Sequence, residues 1–396
     1  MLKATRQQTK EHNRNLVLKT IFDCESISRA EIARTTSLTR TTVSDIVSDL
    51  IDENLVIEIG VGSSIGGKSP ILLSLAEDSR FLIGLDLAYN QFYGAIINLR
   101  GKIKKIVNLP INNRVGDESL AQVYAIIDQL MLDPYRPLVG IGIGTPGLVN
   151  AKAGVVVNAV NLDWKNLPLA SLLESRYHLP VFVLNDSQAA AMGEYTYGEG
   201  RRSGNNLVVI NVRHGIGAGI VINNQLFQGD GGGAGEIGHV VVVPEGGLPC
   251  RCGNHGCLET VASAQAIVRR AQELAAVSND AFQVSDPESI TFSTIEQAFS
   301  AGDPLARQVI LEAGYYMGIA ISSLIGTLNI QKIVLSGDMT RFGKPWLDII
   351  RETVARSSLV GLAQETQVEI GQLESNRIVL GATGWVLSNY SLLFRN

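Results

Sequence analysis

Three cysteines and one histidine in the second half of the chain form the pattern with the most specific chemistry. Cys250, Cys252 and Cys257 fall within eight residues, and His239 lies eleven residues before the first of them. Three thiolates and one imidazole complete a tetrahedral ligand set, which is typical of structural Zn²⁺ and leaves no open position for catalysis. His255, inside the cysteine segment, is a weaker candidate for the imidazole ligand. We therefore predict a structural zinc site.

A second group of polar residues suits contact with nucleic acid. From Arg40 onward, small hydroxyl side chains lie opposite an apolar stripe that includes Val43 and Val47. Guanidinium and hydroxyl groups hydrogen-bond well to base edges and phosphates. From Met1 to Ser44, eight Lys and Arg residues oppose four Asp and Glu residues, a net charge of +4, whereas the whole chain carries −5. Such a basic stretch indicates a phosphate-facing surface, and a solvated helix face is the alternative.

The first eighty residues carry the elements that would present these groups. A short amphipathic helix pattern covers residues 13–23, and Ser28 and Glu31 form a capping box for a brief second helix. Thr39 can cap a third helix, whose apolar positions recur at helical spacing. Two β-like stretches follow this helix. Three helices and a hairpin predict a winged helix-turn-helix with residues 39–54 as recognition helix, and a small helical protein-interaction domain is the alternative.

The tip between the two β-like stretches, Gly60 to Ser69, is rich in glycine and serine, and its sequence Gly66-Gly67-Lys68 could place a cation in a minor groove without side-chain bulk. Acidic residues such as Asp45 and Asp49 would repel phosphate, so the later part of the recognition helix should point away from the DNA backbone. The residues that we predict to contact DNA are Arg29, Thr39, Arg40, Thr41, Thr42, Ser44, Gly67 and Lys68.

Length and composition indicate a soluble protein of several domains. A chain of 396 residues exceeds one typical core, and 45% hydrophobic with 18% charged residues is ordinary for a globular protein. The N-terminal segment lacks the apolar core of a signal peptide, and we find no apolar run long enough to cross a bilayer. We therefore expect a cytoplasmic protein without a membrane partner, nucleoid-associated when it is bound to DNA.

From Phe81 the sequence changes to apolar strands punctuated by glycine, and one pattern of a hairpin plus a further strand occurs twice. This repetition predicts a duplicated α/β fold with a cleft between two lobes, the layout of the actin/hexokinase (RNase H-like) superfamily. We expect a winged helix-turn-helix at 1–80, a first α/β lobe at 81–200 and a second lobe at 201–396. The C-terminal helix of the second lobe can return to the first.

The two hairpin turns of this layout are where kinases of the superfamily grip nucleotide phosphates, and such turns need bare backbone N–H groups. The second turn, predicted at residues 214–219, is rich in glycine. The first, residues 87–90, has no glycine and places Tyr89 where a phosphate would lie. This difference is the main physical argument against kinase activity, so we predict a protein that is not an enzyme.

Several motifs together resemble the ROK family (repressors, open reading frames, kinases). They are the Cys-x-Cys-Gly-x-x-Gly-Cys-x-Glu segment from Cys250, the Gly-Glu-Ile-Gly-His box ending at His239, and the strand-terminal pair Asn185 and Asp186. With the predicted winged helix upstream, the chain resembles the repressor branch, that of the xylose and N-acetylglucosamine repressors. The first phosphate turn departs from the kinase pattern, and the loop ending at Asp338 is a thinned version of the family's nucleotide loop.

The resemblance implies a set of ligands by position. It implies zinc bound by His239, Cys250, Cys252 and Cys257. It implies a sugar contacted by Gly147, Asn161, Asn185, Asp186, Glu236, His239 and Glu259. In kinases of this family the position of Asp186 serves as general base, but an aspartate there can also simply bind a sugar hydroxyl. Asn185 and Asp186 also fit a turn and helix cap.

We therefore predict a sugar-responsive repressor, a homodimer or homotetramer, that binds operator DNA and a monosaccharide effector. Because no added basic residue is evident beside the sugar contacts, we expect a neutral sugar of the glucose or xylose type. An ATP-dependent sugar kinase with a fused DNA-binding head is the alternative. A third possibility is a sensor whose output is a protein partner.

Overall fold

The computed structural model describes residues 5–63, 69–88, 90–198, 204–277, 282 and 286–388. Two residues predicted to contact DNA, Gly67 and Lys68, lie outside this described part, and so does Tyr89 of the first predicted phosphate turn. The described chain contains an N-terminal unit of helices with a small sheet, followed by two five-stranded sheets with helices around them.

The N-terminal unit, which we call the head (residues 5–63 and 69–75), contains three helices. They are α1 (Arg6–Asp23), α2 (Arg29–Thr36) and α3 (Arg40–Asp52). The predicted caps are confirmed, because Ser28 and Glu31 form a reciprocal capping box and the Thr39 hydroxyl accepts from the backbone N–H of Thr42. Helix α1 begins seven residues earlier than predicted, since Thr5 and Gln8 form a further capping box.

The head also contains a three-stranded sheet instead of the predicted two-stranded hairpin. Its strands are β1 (Ile27–Ser28), β2 (Val56–Val61) and β3 (Ile71–Leu75), in the order β1-β3-β2. Strand β1 pairs antiparallel with β3, Ile27 opposite Leu73. Two residues are too few to show a period of two, so the sequence pattern alone does not reveal this strand.

The first lobe is built on a five-stranded sheet in the order β11-β7-β4-β5-β6, in which the first three strands are parallel. Its strands are β4 (Phe81–Leu87), β5 (Gln91–Asn98), β6 (Ile103–Pro110), β7 (Leu138–Thr145) and β11 (Val181–Asn185). Helices α4 (Gly116–Met131) and α5 (Leu169–Tyr177) and a small antiparallel sheet complete the lobe. The strands of that small sheet are β8 (Leu148–Asn150), β9 (Val155–Ala159) and β10 (Trp164–Leu167).

The second lobe repeats this topology in the order β14-β13-β12-β15-β16, which confirms the predicted duplication. Its strands are β12 (Leu207–Val212), β13 (Ile216–Ile222), β14 (Gln225–Phe227), β15 (Lys332–Gly337) and β16 (Gln367–Ile370). Its helices are α7 (Glu259–Ala262), α8 (Ala264–Ala275), α9 (Phe292–Ser300), α10 (Pro304–Leu328), α11 (Gly343–Ser357) and α12 (Val360–Glu365). In each lobe the first strand pairs antiparallel with the second strand and parallel with the fourth. Residues at or just after the carboxyl ends of these parallel strands, among them Asp86, Asn185 and Arg213, face the space between the lobes.

Two helices connect the lobes. Helix α6 (Asp186–Thr196) follows the last strand of the first sheet and packs on β12 and β13 of the second. Helix α13 (Arg377–Leu387) packs on α6 and on β4 and β7, so the C-terminal helix returns to the first lobe. A movement of one lobe against the other must therefore act on both helices.

Helix α10 is long and apolar enough to cross a bilayer, judged by its length and composition alone. This finding corrects the expectation that no such run exists. Its inward residues, among them Val309, Met317 and Ile321, are buried in the core of the second lobe, where α10 packs on α8 and α11. Packing inside a lobe therefore accounts for its apolar composition.

The head and the first lobe share one apolar core. Val17 of α1 and Leu50 of α3 belong to the same buried cluster as Leu82 of β4, Val139 of β7 and Val386 of α13. A polar connection reinforces this core, because the Arg100 guanidinium donates to backbone carbonyls at the end of α1, with 2.8 Å to Cys24 O. The carbonyl end of a helix attracts cations, so Arg100 caps α1 from the first lobe.

Candidate functional site

A cavity of about 1170 Å³ lies between the two lobes and is lined by residues of both. All seven positions of the implied sugar set line it: Gly147, Asn161, Asn185, Asp186, Glu236, His239 and Glu259. The same cavity continues past Asp86 and Arg213 to Asp338. We call these two regions the sugar half and the nucleotide half of the cleft, after the contacts that the family resemblance implies for their residues.

Three carboxylates define the sugar half. Asp186 begins α6, Glu259 begins α7, and Glu236 directly precedes a short 3₁₀ turn that ends at His239. Burial raises the pKa of Asp186, an effect that Arg213 opposes and Asp86 reinforces. Desolvation likewise raises the pKa of Glu236; His239 lowers it, while Asp186 and Glu259 raise it. Clustered carboxylate oxygens are strong acceptors for hydroxyl donors.

Asn185 is largely occupied by contacts within the protein. Its side-chain oxygen accepts from the backbone N–H groups of Ser187 at 2.9 Å and Gln188 at 3.4 Å, so it caps α6 as the alternative interpretation proposed. Its side-chain amide donates to the carbonyl of Gly147 at 2.9 Å, which ties the end of β11 to the loop after β7. Only its second amide hydrogen remains for another partner.

A basic residue that sequence reasoning missed also faces the sugar half. Arg251, between two of the cysteines, donates from Nη1 to Asn161 Oδ1 at 3.3 Å, and its Nη2 lies 3.7 Å from Glu259 Oε1. The expectation that no basic residue lies beside the predicted sugar contacts is therefore wrong. Arg251 comes from the second lobe and Asn161 from the first, so this contact crosses the mouth of the cleft. The only sequence signal was its place between Cys250 and Cys252, at the unspecified position of the Cys-x-Cys motif.

The four predicted metal ligands come together beside this half of the cleft. The ligand atoms of His239, Cys250, Cys252 and Cys257 all lie within 4.8 Å of one another. The distance is 3.5 Å from His239 Nδ1 to Cys250 Sγ and 3.6 Å from Cys252 Sγ to Cys257 Sγ. A tetrahedral zinc ion with ordinary bond lengths requires edges of roughly 3.5–3.8 Å, so these two distances and the chemistry of the donor set fit Zn²⁺.

The imidazole of His239 connects this cluster to the carboxylates. Its Nδ1 faces the thiols, while its Nε2 lies 3.9 Å from Glu236 Oε2. Carboxylates commonly orient metal-bound histidines through the second ring nitrogen. His255 is not among the four clustered residues; its backbone pairs with Pro249 instead. The turn of the segment depends on Gly256, at φ +71°, because a Cβ there would collide with the carbonyl of Val243.

The nucleotide half contains an ion pair between the lobes. Arg213 Nη1 lies 3.2 Å from both carboxylate oxygens of Asp86, whose side chain is 6% exposed. Burial alone would lower the pKa of Arg213, but Asp86, Asp186 and Asp338 together raise it. Nearby, Arg377 at the start of α13 donates from Nε to Asn211 Oδ1 of β12 at 3.2 Å.

The second hairpin turn is shorter than predicted. Strand β13 already begins at Ile216, so only residues 213–215 form the turn. Gly217 and Gly219 face α6, where a Cβ would collide with Ser187, and in the case of Gly219 also with Ala191. These two glycines therefore permit a helix to pack closely on a strand, and their presence in the sequence is not evidence for a phosphate turn.

The side chains predicted to contact DNA lie at the start of α3 and α2. Arg40 and Thr41 are exposed, and Ser44 is half-buried. The hydroxyls of Thr39 and Thr42 lie 2.8 Å apart, within the cap of α3. The charge of Arg29 is met by Glu58 of β2, with 3.0 Å between Nη2 and Oε1. Thr39, Arg40 and Thr41 are thus the exposed residues of this described set, and the hydroxyl of Thr39 is already engaged in the cap of α3.

Several known proteins are similar to this chain in sequence and in structure. A profile of the ROK family matches residues 82–389. The xylose repressor of Caldicellulosiruptor bescii is 34% identical over 389 residues, with 96% of both chains covered. A solved ROK family transcriptional regulator, described as a homologue of the E. coli MLC protein, superposes with a TM-score of 0.83 at 30% identity, covering 97% of this chain and 98% of its own.

A solved ROK family glucokinase from Streptomyces griseus, in complex with glucose and AMPPNP, is also similar. It superposes with a TM-score of 0.70 at 30% identity and covers 76% of this chain and 97% of its own. The glucokinase is thus matched almost completely, yet about a quarter of the present chain has no counterpart in it. The regulator, in contrast, is matched over 98% of its own length and 97% of the present chain.

Proposed function

The chain belongs to the ROK family, and we propose that it is a sugar-responsive transcriptional regulator, a repressor of carbohydrate-utilisation genes. The observation that carries this proposal is the fusion of the head to a cleft whose sugar half holds three carboxylates. The head provides a DNA-binding surface, a winged helix-turn-helix with α3 as recognition helix. The cleft provides the effector site, and the shared core connects the two.

The regulator is favoured over the kinase by what the relatives share with this chain. The glucokinase that binds glucose and AMPPNP covers 76% of the chain, whereas the xylose repressor covers 96%. In addition, the Asp86–Arg213 ion pair lies in the nucleotide half of the cleft. Asp186 then serves as an acceptor for a sugar hydroxyl, and the protein is not an enzyme.

The effector that fits this cleft best is a neutral monosaccharide of the glucose or xylose type. Vicinal hydroxyls can donate to Asp186, Glu236 and Glu259, while the free amide hydrogen of Asn185 can donate to a sugar oxygen. Arg251 does not create an anion site, because Glu259 lies 3.7 Å from its guanidinium and Asn161 accepts from it. A sugar phosphate would have to compete with these partners.

Zinc has a structural role in this proposal. His239, Cys250, Cys252 and Cys257 would hold the ion, which would supply a fixed tetrahedral anchor and no open coordination position. His239 would bind the ion through Nδ1, which faces the thiols, and its Nε2 would stay directed to Glu236. The metal site thereby orders one wall of the effector pocket.

DNA binding would follow the symmetry of the assembly. In a homodimer or homotetramer, two copies of α3 would address operator half-sites about 34 Å apart, one turn of the duplex. Sugar binding between the lobes would change the placement of the two heads, and a coupling of about 1–3 kcal/mol would change operator affinity roughly 5- to 150-fold. Such a protein works in the cytoplasm, where operator DNA and the metabolised sugar meet.

A thermal-shift screen with D-xylose, D-glucose, N-acetylglucosamine and D-glucose 6-phosphate tests this proposal. Selective binding stabilises the native state by mass action, so one neutral sugar should raise the unfolding temperature more than the others do. The same sugars are then incubated with MgATP and analysed for phosphorylated product. Robust turnover would favour the kinase, and stabilisation by the sugar phosphate alone would refute the neutral effector.

A further inference from the structure

The ion pair between Asp86 and Arg213 joins the two lobes at the floor of the cleft. Asp86 lies near the end of β4, where the backbone pairs with Tyr93 on one side and Gly144 on the other. Arg213 begins the turn of the second hairpin, and its backbone carbonyl accepts from Ala264 N at 3.0 Å. Both partners are thus fixed by their own lobes, so the side-chain contact constrains the lobes relative to each other.

The surroundings of this pair hold further charges of both signs. Asp186 and Asp338 act on Arg213 in addition to Asp86, and Arg377 carries a second guanidinium nearby. Arg377 is 7% exposed and is itself held by Asn211 Oδ1 and by the carbonyl of Glu374. Arg377 is thus engaged by its own partners, so Arg213 is the guanidinium that contacts Asp86.

Asp86 and Arg213 come from equivalent hairpins of the two lobes. The resemblance to kinases of the two-lobed layout implies that their two hairpin turns hold nucleotide phosphates through backbone N–H groups, so that a bound nucleotide touches both lobes. Here the first hairpin supplies a carboxylate and the second supplies a guanidinium, and the two meet directly. We propose that Arg213 is a positioning residue whose ion pair with Asp86 holds the two lobes together and takes the place of a bound nucleotide.

This inference rests on the proposed function only in assigning the cleft to a sugar that binds without a nucleotide. The clamp itself is a property of the free protein, so it can be tested without sugar and without DNA. Failure of the clamp would leave the regulator hypothesis intact, and failure of sugar or operator binding would leave the clamp intact.

The experiment is a double-mutant cycle on the full-length, zinc-loaded chain with Asp86→Asn, Arg213→Gln and the double variant. A single substitution leaves a desolvated charge without its partner, so each should lower the unfolding temperature by about 5 °C. The double variant should lose clearly less than the two losses combined, because neither charge is then left alone. Arg213→Lys should retain most of the stability, and it keeps the test informative if Arg213→Gln does not fold.

A matched cycle on the exposed pair Glu352 and Arg356 of α11, with both changed to Gln, provides the control. Exposed pairs contribute little, so its coupling should be near zero. A merely structural contact would affect stability alone. A clamp must also affect shape, so small-angle scattering should give a larger radius of gyration for Arg213→Gln than for the unmodified chain or for the Glu352→Gln/Arg356→Gln double variant.

Mg·AMPPNP serves as the probe for a phosphate-binding role. The clamp predicts no stabilisation of the unmodified chain by this nucleotide. Stabilisation that disappears in Arg213→Gln would make Arg213 a phosphate ligand and overturn the proposal. Additive losses in the cycle, or an unchanged radius of gyration in Arg213→Gln, would overturn it as well.

Discussion

At the scale of single residues, the four metal ligands illustrate what side-chain chemistry can predict. Thiolates and an imidazole at this spacing have few other uses in a reducing compartment. The sequence alone therefore predicts that these four side chains come together, as they do in the structure. Arg251 and Arg213 were not, because an arginine carries no sign of its partner in the sequence. Asn161 lies 90 positions before Arg251, and Asp86 lies 127 positions before Arg213.

Removing one thiolate tests the metal site. Cys252→Ala should lower both the zinc content and the unfolding temperature, because a structural ion contributes its binding free energy to folding. Metal analysis and calorimetry measure the two quantities. Cys24→Ala is the matched control, since Cys24 lies at the end of α1, outside the cluster, and its loss should leave zinc content unchanged. Unchanged zinc and stability in Cys252→Ala would refute the assignment.

Removing one carboxylate tests the effector site. Asp186→Asn should weaken binding of the stabilising sugar about 10- to 100-fold, since a hydrogen bond to a charged group contributes about 1.5–3 kcal/mol. Titration calorimetry gives the dissociation constant, and zinc content should not change. Asp230→Asn, at an exposed carboxylate outside the cavity, is the control and should bind normally. Equal affinity in the two variants would remove Asp186 from the site.

At the scale of elements, caps and repeats were predictable, but contacts between elements were not. The capping box of α2 and the cap of α3 follow from local hydrogen-bonding rules, and both are present. The prediction placed Gly217 and Gly219 in a turn, which is wrong, because the sequence cannot distinguish a glycine that lets a helix pack closely on a strand from a glycine in a phosphate turn. The composition of α10 is ambiguous in a similar way, because a helix buried in the core of a lobe can be as long and as apolar as a helix that crosses a bilayer.

The assignment of α3 as recognition helix leads to a prediction for its first residue. Arg40→Ala should weaken binding to an operator duplex, since it removes an exposed cation from the predicted DNA-facing end, and sugar affinity should stay the same. Fluorescence anisotropy with a duplex selected in vitro measures the change. Arg356→Ala removes a similarly exposed cation from α11 and should have no effect. If Arg40→Ala binds like Arg356→Ala, α3 is not the recognition helix.

At the scale of the whole molecule, the head is continuous with the first lobe. The sequence predicts where each domain begins, but the hydrophobic pattern does not say which buried faces meet. Val386 at the far end of α13 belongs to the core of the head, and Arg377 at its near end lies beside the cleft. One helix of eleven residues thus runs from the neighbourhood of the Asp86–Arg213 pair to the core that the head shares with the first lobe.

Arg100 supplies a second connection and a prediction about coupling. Arg100→Ala should reduce the effect of sugar on operator affinity while sugar affinity stays the same, because it frees the end of α1 from the first lobe. Anisotropy titrations with and without sugar measure the ratio of the two operator affinities. Arg114→Ala is the matched control, since Arg114 donates to the Pro110 carbonyl within its own lobe. An unchanged ratio in Arg100→Ala would exclude this route.

The central claim is that a sugar in the cleft controls DNA binding by the head without any nucleotide. The most direct measurement is the anisotropy of a labelled operator duplex, titrated with the unmodified protein in the absence and presence of the stabilising sugar, with no ATP added. The account predicts operator dissociation constants that differ roughly 5- to 150-fold. Equal constants under saturating sugar, or a difference that appears only with ATP, would contradict it.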